Sequence, residues 1–267
     1  MKNRKDFVAS LARGIDIIRS FTVRQGSEDS GLPAAVGPTD ALTLSQVAAR
    51  VGVARAVARR FLLTLADLGY VVTDGKYFRL TARVLDLGHA YLSSMPFSNL
   101  ATEFLQEVSE QTKESCSASV LDGQDIVYVA RVAARRILSI SLSIGTRLPA
   151  SCTSMGRVLL AALPPAELQK YLEEVKLRRR TPQTVTDKER LREILVEVSR
   201  EDYALTNGEL EEGLRSIAVP VRAGGGRVVA AINISTQAGR VTKSQMIKEF
   251  LPVLRKAAQR IGAVLSP

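Results

Sequence analysis

Residues 43–80 read TLSQVAARVGVARAVARRFLLTLADLGYVVTDGKYFRL, and this stretch decides the front of the fold. Thr43-Leu44-Ser45-Gln46 has the spacing of a capping box, in which the Thr43 hydroxyl accepts from the Gln46 N–H while the Gln46 side chain reaches back. The helix it starts carries Leu44, Val47, Ala48 and Val51 and stops at Gly52. A second helix is predicted from Ala54 to Leu68 after a short Gly-containing turn, which is the order of a helix-turn-helix. On it, Val57, Phe61, Leu65 and Leu68 predict the buried stripe. Arg55, Ala56, Ala58, Arg59 and Arg60 fall on or beside the opposite face. Small side chains between arginines let a helix enter the major groove, where guanidinium groups bond guanine edges or phosphates. A solvated basic face is the alternative. Gly69 ends the helix, and Tyr70–Thr73 and Lys76–Leu80 flank Asp74-Gly75, a pair suited to a type I′ hairpin. The resulting wing presents Lys76 and Arg79 to a DNA backbone. Residues Thr43, Ser45, Gln46, Arg55, Ala56, Arg59, Arg60, Lys76 and Arg79 are thus the candidate DNA contacts.

Working outward, Leu11, Gly14, Ile15, Ile18 and Phe21 recur at helical spacing and predict a first amphipathic helix over 10–21. The stretch from Arg24 to Ala41 holds three glycines and two prolines and reads as a long, flexible loop. The whole chain has 267 residues and a net charge of +10, a balance that favours polyanionic partners. Residues 1–93 contribute 13 basic and 8 acidic side chains, so half of the excess sits on about a third of the chain. No apolar run approaches a bilayer span and no signal-type segment opens the chain, so a cytoplasmic protein without membrane attachment is expected. Two cysteines, Cys116 and Cys152, are too few for a disulfide framework and too far apart for a zinc pair. No metal site is expected.

Behind the wing, Val84, Leu87, Gly88 and Tyr91 form an apolar seam on a helix capped by Thr81 and ending before Pro96. Such a linker helix needs a partner, most simply its own copy. It carries His89, the one histidine, which has no second imidazole to work with. The domains expected are therefore 1–80, the linker helix 81–95, and 96–267. After a helix over 99–113, strands at Cys116–Leu121 and Asp125–Val132 join through Asp122-Gly123, and Leu138–Ile144 alternates apolar residues with serines. Residues 148–156 are small and polar and lead into a helix over 157–163; N–H groups converging at a helix start suit an anion. A merely capped helix is the bland alternative. Helices near Pro165–Glu174 and from a capping box at Thr186–Glu189 to Arg200 follow. Strands Ser216–Val221 and Arg227–Ser235 turn at Gly224–Gly226, which is no phosphate loop because a strand follows it. A last helix runs from the box at Thr242–Gln245 to Leu265, kinked by Pro252. The class is α+β, with an antiparallel sheet and flanking helices in the back domain.

The winged front, Leu68-Gly69-Tyr70-Val71, the linker helix, residues 148–162 and Glu212-Gly213-Leu214-Arg215-Ser216-Ile217-Ala218 together resemble the IclR family of bacterial transcriptional regulators. The stretch 152–160 resembles its branch controlling aromatic-acid catabolism through protocatechuate and β-ketoadipate. The resemblance implies a GAF-like back domain that binds a small organic acid effector, no other cofactor, and a dimer or tetramer on palindromic double-stranded operator DNA. Matched by position, it points to Ser154, Met155, Thr206, Ser216, Asn233 and Ser235 as effector-binding residues. Met155 and Thr206 depart from the smaller residue and the acid found in members that bind very small keto acids, and suit a different anion, such as an aromatic one. Two rivals remain open. A basic DNA-binding protein without effector would bind irrespective of sequence, with steep salt dependence. An enzyme using Cys152 as nucleophile would need a base, which the linker histidine does not supply.

Overall fold

The computed structural model describes residues 6–21, 41–93, 97–134 and 142–265. They divide into two compact units, Met1–Ser94 and Met95–Pro267. The predicted loop 24–41, apart from its last residue, lies outside the described residues, as does the predicted strand from Leu138 to Ser141.

The front unit begins with α1 (Ala9–Ser20) and β1 (Leu42–Thr43), followed by α2 (Leu44–Val51) and α3 (Arg55–Asp67). The capping box at Thr43 forms in both directions, and Gly52 closes α2 at φ 70°, a conformation that favours glycine. β2 (Val71–Thr73) and β3 (Tyr77–Leu80) form the wing, and β1 adds to its edge in the order β1-β3-β2. The sequence reading missed β1, a two-residue strand that also serves as the helix cap. Ile17, Val47, Ala48, Ala58, Leu62, Leu65, Val71 and Phe78 make the core.

Two details of this unit differ from expectation. The buried stripe of α3 is Ala58, Leu62 and Leu65, while Val57 and Phe61 are half-buried and Leu68 is exposed. Apolar residues occupy both 57/61 and 58/62, so either row satisfies a helical period, and packing against Ile17 and Val47 selects the second. The wing turn is also not type I′, because Gly75 has φ 93° but Asp74 keeps a negative φ. The Asp74 carboxylate instead accepts from the Lys76 and Tyr77 N–H groups at 3.0 and 2.7 Å. An Asx-type turn has replaced the two-residue loop. A short 3-10 turn (Ala82–Val84), capped by Thr81, leads into α4 (Leu85–Ser93).

The back unit starts with α5 (Phe97–Thr112), β4 (Ser115–Asp122) and β5 (Asp125–Val132). Gly123 and Gln124 form the tight turn between the strands, with Gly123 at φ 63°. Residues 142–146 form no strand; the chain regains extension at β6 (Arg147–Pro149). Next come α6 (Ser154–Ala161), α7 (Pro165–Glu174) and α8 (Lys188–Glu201). The cap of α8 is Asp187, which accepts from the Arg190 N–H at 2.7 Å, and not Thr186: the carboxylate one residue on outcompetes the hydroxyl. β7 (Ala204–Asn207), unforeseen, pairs with β8 (Leu214–Arg222), which pairs with β9 (Val228–Gln237). The last helix has a first turn α9 (Lys243–Gln245), a wider π turn over Met246–Phe250, and α10 (Leu251–Val264). The π turn sits immediately before Pro252, which cannot donate to the helix ladder.

All six strands are antiparallel, in the order β6-β5-β4-β9-β8-β7. Period-two alternation gives the sheet two faces. Ile217, Val219, Ile232 and Ile234 lie on the face toward α5 and α10, each fully buried side chain contributing about 1.5–3 kcal/mol. The opposite face lies under α6, with α7 and α8 completing a core around Ile126, Met155, Leu160, Leu191 and Leu195. A 3-10 turn (Ala150–Cys152) precedes α6, and Gly156 lets the helix pack against it: a Cβ there would lie 2.2 Å from the Ala150 carbonyl oxygen.

Candidate functional site

On the front unit, α3 turns Arg55, Ala56, Arg59 and Arg60 outward, all exposed, while Ala58 is fully buried. Among the described residues none of the three arginines makes an ion pair. The wing adds Lys76, which lies over the Tyr77 ring at 5.2 Å, and Arg79, 4.0 Å from Asp74. Arg79 is therefore partly spent within the wing. Ser45 is exposed at the start of α2, whereas Thr43 and Gln46 bond each other: Gln46 Oε1 accepts from the Thr43 N–H at 2.8 Å. A continuous positive face on a helix flanked by a basic hairpin is suited to a polyanion.

In the back unit the sheet face beneath α6 is lined with small polar groups. Ser154 Oγ, on the first turn of α6, lies 2.7 Å from Ser216 Oγ on β8. Asn233 Nδ2, on β9, donates to Ser216 Oγ at 2.9 Å and to Ser235 Oγ at 3.0 Å, and Ser235 Oγ donates to Ser216 Oγ at 3.1 Å. Thr206 stands opposite Ser216 in the β7–β8 ladder, and Met155 Sδ accepts from Ser119 Oγ at 3.3 Å. Ladder register, alternation and the approach of α6 thus bring five of the six candidate residues to one face, with Met155 lying over it. All except Ser235 are buried. The side-chain oxygen of Asn233, Oδ1, is buried and has no hydrogen-bond partner.

The helix start is not a bare anion site. Thr153 caps it, accepting from the Gly156 N–H at 3.3 Å. One turn on, Arg157 makes a buried two-point ion pair with Glu209 at 2.7 and 2.6 Å and donates to the Ser151 carbonyl at 3.0 Å. Thr181 and Thr184 hydroxyls hold the Gly208 and Glu209 carbonyls at 2.6 and 2.7 Å. The loop between β7 and β8 is thereby tied to α6 through Arg157 and to the connection between α7 and α8 through Thr181 and Thr184.

Sequence reasoning overlooked Arg131 and Ser117 on this face. Arg131 Nη1 donates to Ser117 Oγ at 3.3 Å, and Ser117 is the ladder partner of both Arg131 and Asn233. The serines at 115, 117 and 119 were the available signal, a polar alternation along β4 like that read at 139–143. The pair Arg157–Glu209 left no signal, because its partners are far apart in sequence.

The surroundings of Cys152 do not favour a thiolate nucleophile. Burial pushes its thiol above the ordinary cysteine range, and burial pushes the Cys116 thiol up to about 12. No helix among the described residues is long and apolar enough to cross a membrane.

Comparison with known proteins covers both units. Residues 10–75 match the family model for the IclR helix-turn-helix domain, and residues 89–263 match that for the bacterial transcriptional regulator IclR C-terminal region. The chain is 43% identical to the Pca regulon regulatory protein of Pseudomonas putida, over 95% of this chain and 83% of that one. It is 37% identical to the p-hydroxybenzoate hydroxylase transcriptional activator of Acinetobacter baylyi, covering 96% of this chain and 92% of the other. Among solved structures, an IclR homologue of Microbacterium hydrocarbonoxydans complexed with 4-hydroxybenzoate matches with a TM-score of 0.80 and 25% identity, over 96% of this chain and 99% of that one.

Proposed function

This chain belongs to the IclR family of bacterial transcriptional regulators, and from that premise we propose that it binds palindromic operator DNA as a homo-oligomer, under the control of an aromatic-acid effector held beneath α6. The observation that carries the effector half is the buried polar cluster of Ser154, Ser216, Asn233 and Ser235. A cluster of hydroxyls sealed under a helix, with one acceptor unsatisfied, has polar capacity to spare that a core would not retain without use. The relatives support an aromatic acid of the protocatechuate or β-ketoadipate pathway: one is named for the pca regulon, one for p-hydroxybenzoate hydroxylase, and one is complexed with 4-hydroxybenzoate. Met155, unbranched and pliable, can yield to a ring or pack against its edge.

Arg55, Arg59 and Arg60 with Ala56 form the recognition surface, while Lys76 and Arg79 position the wing on the backbone. Thr43, Ser45 and Gln46 lie at the start of α2, where a helix crossing the groove meets phosphate. Palindromic sites need two copies, and the front unit exposes the apolar surface for them. Val8 just before α1, Leu11 and Ile15 on it, and Leu85, Leu87 and Tyr91 on α4 are each about half exposed or more.

Control follows from linkage: an acid that favours one arrangement of the subunits shifts operator affinity by its differential affinity and no more. The test is a titration of the chain on a promoter fragment neighbouring its gene, with and without protocatechuate, 4-hydroxybenzoate and β-ketoadipate. At least one acid is expected to change operator affinity by roughly 5–150-fold. Affinity unmoved by every acid, and equal on random DNA, would instead identify a basic DNA-binding protein without effector.

A further inference from the structure

We propose that Arg131 anchors the effector carboxylate and that the Asn233 side-chain oxygen accepts from a ring hydroxyl, so that the site selects a hydroxylated aromatic monocarboxylate over an aliphatic dicarboxylate. This rests on the reading of the polar sheet face as the effector site. Arg131, Ser117 and Asn233 are ladder partners across β5, β4 and β9, so their side chains share one face. Their outer Cα atoms are therefore about 10 Å apart, two strand spacings.

Availability singles out Arg131. Arg157 is consumed by Glu209 and the Ser151 carbonyl. Arg215 is consumed by Asn207 Oδ1 and by the carbonyls of Ala238 and Val241. Arg131 makes one long hydrogen bond, to Ser117, and has no carboxylate partner among the described residues. A guanidinium with most of its five donors open matches a carboxylate in two-point fashion.

At the other end, Asn233 is 3% exposed; both protons of its Nδ2 are used by Ser216 and Ser235, and its oxygen has no donor. A buried acceptor in this state lacks a donor, which a phenolic O–H supplies. A keto group or a second carboxylate cannot supply one, and the second carboxylate would find no further open cation on this face among the described residues. The ladder positions near these poles include Ala218 and Ala231, which present little bulk to a flat ring.

The test is calorimetric titration of the full chain with 4-hydroxybenzoate, protocatechuate, benzoate and adipate, with the ligand-free melting temperature tracking the fold of each variant. Wild type is expected to bind the hydroxybenzoates roughly tenfold or more tighter than benzoate or adipate. Arg131→Gln should weaken all the aromatic acids together by about 10–100-fold, and Arg131→Lys should recover part of that loss. Asn233→Ser should weaken the hydroxybenzoates by a larger factor than benzoate, and so remove the preference for hydroxylated over plain benzoate. Should Arg131→Gln fail to fold, Arg131→Lys and the wild-type ligand series still decide. Acids bound by wild type with Arg131→Gln unaffected, or adipate preferred, would overturn this assignment and leave the effector site standing. Wild type binding none of the four acids would overturn both.

Discussion

The two units handle polar groups in opposite ways. The front unit leaves Arg55, Arg59 and Arg60 in solvent without ion pairs among the described residues. The back unit buries a set of polar side chains around α6 and closes most of them on one another, down to Arg157 and Glu209, which are 3% and 8% exposed. The contrast follows from the partners. A polyanion is met by charges that need no desolvation until it arrives, and the released counterions drive association. A small acid is discriminated only where water has been excluded, so its site must be built from donors and acceptors already held in place.

The sharpest way to break that contrast is at Arg157–Glu209. Removing one partner leaves an uncompensated buried charge, so Glu209→Ala is expected to destabilise the back unit by about 3–5 kcal/mol, read as a lowered denaturant midpoint at unchanged slope. Replacing both by Met and Leu should recover most of the loss. Recovery would assign the pair to holding the β7–β8 loop against α6 rather than to charge as such. An unchanged midpoint for the single variant would show that water reaches the pair. Next in size is Gly156→Ala, whose Cβ would meet the Ala150 carbonyl carbon at 2.6 Å and its oxygen at 2.2 Å. Because the obstacle is the backbone of the 3-10 turn Ala150–Cys152, α6 and that turn must part, at a cost of about 1–3 kcal/mol or more. That displacement should also weaken acid binding, which an isosteric core change of equal cost would not do.

The same contrast explains what the sequence could tell. Elements with local signals were legible: the capping boxes at Thr43 and Thr242 and the glycine stop at Gly52 form as read, and the hairpin read at Asp122-Gly123 forms with its turn one residue on, at Gly123-Gln124, because Asp122 pairs with Asp125. What failed depended on partners distant in the chain. Ala58 and not Val57 is buried because α1 and α2 choose between two apolar rows of α3. β7 is a four-residue strand made by pairing with β8, without a local cue strong enough to mark it. In the site, Ser154 and Ser216 are 62 positions apart, and resemblance rather than periodicity joined them. Arg131 escaped because a lone arginine on a strand reads as a solvent-facing charge until its neighbours across the ladder are known.

On the front unit the expected effects are smaller, and they depend on salt. Arg59→Ala should weaken operator binding by about 1–3 kcal/mol and relax specificity at one base position if the side chain reads a base. If it meets only phosphate, affinity should fall alike on every sequence and the salt slope should shrink by about one unit. Unchanged affinity at fixed salt would remove Arg59 from the interface, and with it the orientation of α3 argued from Ala58. The effect on folding should be slight, since an exposed arginine without an ion pair contributes little.

The wing yields the smallest effect and the one tied to pH. The Tyr77 N–H and then the Lys76 N–H hold the Asp74 carboxyl below its ordinary value, with Arg79 assisting. Because the folded value lies below the unfolded one, the stabilisation is fully present above the ordinary aspartate value of about 3.9 and is lost as pH falls through the folded value. Acidification should therefore loosen residues 74–77 without disturbing the cores, seen as faster exchange of the Lys76 and Tyr77 amides than extrapolation from higher pH allows. Asp74→Asn keeps an acceptor oxygen and discards the charge, so it should preserve the turn and abolish this pH dependence. Asp74→Ala discards both, and should loosen the wing at every pH while reducing operator affinity less than Arg59→Ala does. Were Asp74→Asn to retain the acid-dependent loosening, the titrating group would lie elsewhere in the front unit. The wing would then owe its shape to Gly75 and the β2–β3 ladder alone.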